Sequence, residues 1–60
     1  MKQFKVIIDV YHSKNHVETK ALTVEAGNKR LAGLRALGEI SKQKEFVDLY
    51  KSIRSIELVA

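Results

Sequence analysis

The sequence predicts a small α+β domain of element order ββααβ: a three-stranded antiparallel sheet, strand order 2-1-3, with one main helix and a short second helix on one face. Three observations lead there. Phe4, Val6, Ile8 and Val10 alternate with Lys5, Ile7, Asp9 and Tyr11, the period-two signature of a strand. After Gly27-Asn28 the period changes, and Leu31, Leu34, Leu37 and Ile40 recur at helical spacing. At the end, Ile56 and Leu58 alternate with Ser55, Glu57 and Val59.

The first strand is rich in β-branched and aromatic residues and free of Gly and Pro, so its backbone has little reason to leave the extended region. Ile7 and Tyr11 add apolar surface to its second face, as expected of a central strand. His12-Ser13-Lys14-Asn15-His16 is a polar turn cluster, with Asn suited to a left-handed position and a loop of about four residues. From Val17 to Ala26, Leu22, Val24 and Ala26 share one face, and Val17, Thr19, Ala21 and Thr23 the other. This is the second arm of a hairpin.

Asn28 is placed to cap a helix whose buried side carries Leu31, Leu34, Leu37 and Ile40. Gly33 and Gly38 fall on that side too, which suggests close approach to the sheet. Asn28, Arg35, Glu39 and Lys42 take the opposite half, extended by Ala32, Ala36 and Lys29. Continued straight, the helix would carry Phe46, Val47, Leu49, Tyr50 and Ile53 onto that polar half, and one rod cannot bury both sets against one sheet. The chain is therefore expected to break near Ser41–Lys44 and form a second short helix, about 43–51. The run 53–60 makes the third strand, with Ile56 and Leu58 inward.

Sixty residues make a single domain, 1–60. Such a chain buries only about 60% of the surface its unfolded form exposes, so its stability is marginal. At 45% apolar and 30% charged residues it has the balance of a folded domain rather than a disordered tail. Cysteine is absent, which removes disulfides and thiolate chemistry and suits the cytoplasm. No apolar run approaches the roughly 20 residues of a membrane span. Met1 reads as a natural start without a secretory signal.

The net charge of +4 is localised. Lys29, Arg30, Arg35, Lys42 and Lys44 stand against Glu39 alone within 26–44, and elsewhere the cations and carboxylates balance. This basic stretch is a candidate nucleic-acid contact, with a steep salt dependence if phosphates are neutralised. Lys29 and Arg30 do not share the helix face of Arg35 and Lys42, and the aromatic residues for base stacking are few. Gly27-Asn28-Lys29-Arg30 opens a helix but lacks the spacing of a phosphate-binding loop.

His12 and His16 flank one turn and, even with Glu18 or Asp9, fall short of the four ligands of a structural zinc site, so a solvated turn is expected and no metal. Ser13, Ser41, Ser52, Ser55, Thr19 and Thr23 have no adjacent base or oxyanion turn. A one-sided sheet of this size also leaves little volume for a pocket, given ligand cavities of about 300–1,000 Å³. The expectation is a non-enzyme without cofactor or small-molecule substrate.

The outer face of the sheet stands out instead. Ile7, Tyr11, Ala21, Thr23 and Val59 look outward beside Lys5, Asp9 and Glu57, and Ile7, Tyr11, Thr23 and Val59 are the candidate contacts for a protein partner or a second copy. The edges, the second and third strands, are open to pairing with another chain. In size and element order, carried by the Val6–Tyr11 strand and by Thr23-Val24-Glu25-Ala26-Gly27 ahead of the helix, the chain resembles small accessory proteins of bacteriophages and prophages. That resemblance implies a protein that binds and diverts a host protein, and it transfers no functional residue.

Overall fold

A computed structural model describes residues 1–59. Three strands, β1 (Lys2–His12), β2 (Asn15–Ala26) and β3 (Tyr50–Leu58), form an antiparallel sheet of order β2-β1-β3. One helix, α1 (Lys29–Ser41), and a single 3-10 turn (Lys44–Phe46) cover one side of it. The expected α+β class and strand order are those observed. The most apolar strand takes the middle because only there does it lose both edges and one whole face to protein. Phe4, Val6, Ile8 and Val10 are all buried, and they meet Ala26, Ala32, Ala36, Ile40 and Phe46 in one core.

The hairpin is tighter than expected. His12 pairs with Asn15, leaving Ser13-Lys14 as a two-residue loop, and Ser13 rather than Asn15 takes the left-handed conformation (φ 57°). A positive φ at the first loop position alone is the pattern of a type II′ turn, whose twist suits adjoining strands.

Asn28 caps α1 as expected, its Oδ1 accepting from the Leu31 N–H at 2.9 Å. The face that α1 buries is turned from the one expected: Ile40 is buried and Leu37 packs against the core as expected, but Leu31 and Leu34 do not turn inward. Ala32, Gly33, Ala36 and Ile40 are buried, whereas Leu31 and Leu34 are 46% and 59% exposed. At about 100° per residue, Leu34 lies roughly 160° round the helix from both alanines. The reason is volume: the large side chains of β1 and Phe46 already fill the core, so the helix fits only with its small residues inward. A Cβ on Gly33 would sit 3.0 Å from Ile53 Cδ1 and 3.2 Å from Ile56 Cδ1, which shows how near α1 comes to β3. Gly38 has no such role, since a Cβ there would meet nothing within 4 Å.

The helix breaks where the turning apolar direction demands it. Lys42 and Gln43 donate to the carbonyls of Glu39 and Ile40, tightening the last turn. The helical segment beyond the break is shorter than the expected helix over 43–51. Phe46 N–H donates to Gln43 O and Leu49 N–H to Phe46 O, and by Tyr50 the chain is strand. The long central strand explains this: β1 offers partners as far as Tyr11, and pairing with it draws Tyr50–Ser52 into the ladder. The strand expected over 53–60 thus begins three residues earlier, and Ala60 lies outside the described residues. Phe46 remains, 3% exposed, with Lys20 Nζ 5.3 Å from its ring centre.

Both outer strands carry a bulge. Val10 pairs with Glu18 and Tyr11 with His16, so Val17 is the extra residue of β2. Ile7 pairs with Ser55 and Ile8 with Ile53, so Arg54 is the extra residue of β3. A bulge shifts the alternation of side chains by one and re-aims the residues beyond it.

Candidate functional site

Asp9 sits on β1, pointing to the side of the sheet that no helix covers. A carboxylate in the middle of an apolar strand needs partners, and the two bulges supply them. The β2 bulge turns His16 onto the uncovered face, level with Tyr11, and the β3 bulge does the same for Arg54. Thr19 stands directly opposite Asp9.

The geometry is compact. Thr19 Oγ1 donates to Asp9 Oδ1 at 2.8 Å, and Arg54 Nε donates to Asp9 Oδ2 at 2.9 Å. His16 Nε2 lies 2.9 Å from Thr19 Oγ1 and 3.4 Å from Asp9 Oδ1. Since the hydroxyl hydrogen of Thr19 goes to Asp9, its oxygen accepts from His16, and Nε2 is the ring nitrogen that carries hydrogen. These neighbours close over the carboxylate and leave Asp9 only 6% exposed. The Thr19 hydroxyl, then the Arg54 guanidinium and the charge of His16, hold its carboxyl below the ordinary value of 3.8, against the opposing effect of burial.

Aromatic rings border one end of this centre. The Tyr11 ring meets the His16 ring edge-on at 5.5 Å and lies 6.3 Å from that of Tyr50, itself 68% exposed. The arrangement is not a relay for nucleophilic catalysis. There a hydroxyl gives its proton to one imidazole nitrogen while the carboxylate holds the other. Here both oxygens face Nε2, and the hydroxyl is committed to the carboxylate. Among the described residues Arg54 hydrogen-bonds through Nε alone, and its side chain is 59% exposed, so the two terminal nitrogens are left without a protein acceptor while the bond to Asp9 holds the guanidinium.

The chain matches no protein-family model, no curated protein and no solved structure.

The structure divides the candidates named from sequence. Ile7, half-buried between Ala21 and Ser55, and Tyr11 border the Asp9 centre. Thr23, opposite Lys5, and Val59, whose N–H donates to Gln3 O, lie toward the far end of the sheet. Gln3 and Tyr11 are eight residues apart on β1, about 26 Å at strand rise, so the four form no single patch. Lys29, Arg30, Arg35, Lys42 and Lys44 are all exposed but do not gather either. Arg35 and Lys42 share a helix face, Arg30 points about 140° away from Arg35, and Lys42 pairs with Glu39 at 3.3 Å.

The turn histidines part company. His12 pairs with Asn15 at the tip, while Glu18 faces the helix side and pairs with Lys20. Among the described residues no three His, Cys, Asp or Glu groups come together. His16 does not stand in a bare solvated turn, because Asp9, Thr19 and Tyr11 converge on it. The expectation of little pocket volume is also corrected. A groove of 570 Å³ runs between β2 and the C-terminal half of α1, flanked by Leu22, Val24, Arg35 and Lys42.

His16, Thr19, Arg54 and Tyr50 were missed as site residues in the sequence. One signal was present. Ile53 and Ile56, three apart in a strand yet both apolar, face the same core only if a residue between them bulges.

Proposed function

We propose that this chain is a non-enzymatic binding protein that captures a protein partner on the uncovered face of its sheet. The observation that carries the reading is the pair of bulges that turn His16 and Arg54 onto that face to fix Asp9. The resulting surface is ordered before any partner arrives. An anchored arginine and two tyrosines are the residue types that dominate protein–protein hot spots, and pre-ordering them lowers the entropic cost of association. The carboxylate is fully partnered, so covering it strands no charge. The partner would set a carboxylate or carbonyl oxygen on the terminal nitrogens of Arg54 and an apolar side chain over Ile7 and Tyr11. The resemblance to phage accessory proteins agrees with a host protein as that partner.

Affinity capture with immobilised wild-type protein and two sets of variants tests the reading. Arg54→Ala, or Ile7→Lys, is expected to lose a captured protein that Arg35→Glu with Lys42→Glu still retains. Capture unchanged by the sheet variants removes this surface. Retention of labelled DNA or RNA that disappears with the helix variant and at raised salt would instead establish nucleic acid as the ligand.

A further inference from the structure

We infer that the β1–β2 hairpin has two registers at its tip, and that the contact of His16 with the Asp9 centre selects the one observed. The backbone there goes against its residue types. Among the described residues Ser13 is the one non-glycine residue with positive φ (57°). It stands at the first position of a two-residue loop, where that conformation favours glycine. Val17, extra to the ladder, is 51% exposed. Backbone strain of this kind persists only where the surrounding contacts over-determine it. Here His16 makes them all. Its Nε2 lies 2.9 Å from Thr19 Oγ1 and 3.4 Å from Asp9 Oδ1, and its ring meets that of Tyr11 edge-on at 5.5 Å.

The sequence offers a second register without that strain. Carrying the regular pairing of Val10 with Glu18 onward sets Tyr11 opposite Val17 and His12 opposite His16. The bulge disappears, and the loop lengthens to Ser13-Lys14-Asn15. A three-residue hairpin loop commonly runs through a type I turn into a left-handed third residue. Asn15 is a residue type that takes that place with little strain. Tyr11 and Val17 then form a cross-strand pair of an aromatic with a β-branched side chain, a favourable combination. What the second register loses is His16, whose ring passes to the helix side of the sheet, so that Asp9 keeps only Thr19 and Arg54. From Val10 and Glu18 to the far end of the hairpin the ladder is common to both registers. Conversion therefore re-pairs residues 11–17 alone, none of which belongs to the core. It exchanges a histidine for a valine beside Tyr11, and the uncovered face is offered in a polar and an apolar form.

Nuclear Overhauser contacts across the hairpin of the full chain read the register directly. The wild-type chain is expected to show His16 opposite Tyr11, and His16→Ala to show Val17 there instead, with Asn15 turning to positive φ. His16 is exposed at the hairpin tip, so its loss leaves the core intact. Asn15→Gly is expected to raise the second register as well, with the Asp9 centre untouched. It decides the matter if circular dichroism shows that His16→Ala does not fold. Ser13→Gly relieves the strain of the observed register and moves the balance the opposite way by about tenfold. A hairpin that keeps position 16 opposite Tyr11, with no contact of Tyr11 with Val17, in Asn15→Gly and in a folded His16→Ala overturns the proposal.

Discussion

Leu34 and Ala36 exchange the roles that their chemistry suggests, and the exchange is measurable. Leu34 is 59% exposed, so about two-fifths of its surface is out of water. Full burial of a leucine contributes about 1.5–3 kcal/mol, which puts roughly 0.6–1.2 kcal/mol at stake in Leu34→Ala. Alanine's better helix propensity returns a few tenths of that. No cavity forms, because the side chain borders solvent. Ala36 is fully enclosed, and Ala36→Leu drives three more carbons into a filled core, a change that costs about 1–3 kcal/mol. Urea unfolding gives both values by linear extrapolation. In a domain this small each kcal/mol also moves the thermal midpoint by about 4–8 °C. The expected order is a mild Leu34→Ala and a severe Ala36→Leu. A loss of about 2–5 kcal/mol for Leu34→Ala, the range for a core leucine, or indifference to Ala36→Leu, would mean that α1 buries its leucine face and that its alanines do not pack on the sheet.

Three further outcomes are expected. Gly38→Ala should stabilise the chain by about 1 kcal/mol through helix propensity alone, while Gly33→Ala gains less, because its methyl meets Ile53 and Ile56 at 3.0 and 3.2 Å. Equal gains in thermal unfolding would show that α1 is not held close to β3. Phe46→Ala should cost about 3–5 kcal/mol, most of the stability of a marginal domain, and circular dichroism that retains the full native transition would deny Phe46 its place in the core. The carboxyl of Asp9 titrates lower in the folded chain than in the unfolded one, so the stability it contributes is whole above the unfolded value near 3.8 and is lost as pH falls through the folded value. Thr19→Val should raise the folded pKa and narrow that acid window, followed by the carboxyl carbon resonance through a pH titration; no movement would show that the hydroxyl does not hold the carboxylate.

The amino-acid sequence by itself determined the elements whose pattern admits one solution. Phe4 to Tyr11 alternates so cleanly, and is so apolar, that only a central strand buries it. The apolar direction of residues 28–52 turns too far for one rod, and the helix accordingly ends at Ser41. Asn28 caps α1 because its side chain competes well for an unpaired N–H at any helix start.

Tertiary structure decided what local pattern left degenerate. The helix is apolar on two sides, Leu31 with Leu34 and Ala32 with Ala36, so periodicity could not choose between them; the volume already taken by β1 and Phe46 chose the alanines. Tyr50–Ser52 satisfies a helix as well as a strand, and the length of β1 settled it. The site lay furthest from view. Asp9, His16, Thr19 and Arg54 are scattered over 46 residues, and alternation carried unbroken through both outer strands leaves the carboxylate without His16 and Arg54. Only the register of β2 and β3 against β1 inserts Val17 and Arg54 as extra residues. Register is a property of paired strands, not of any strand alone.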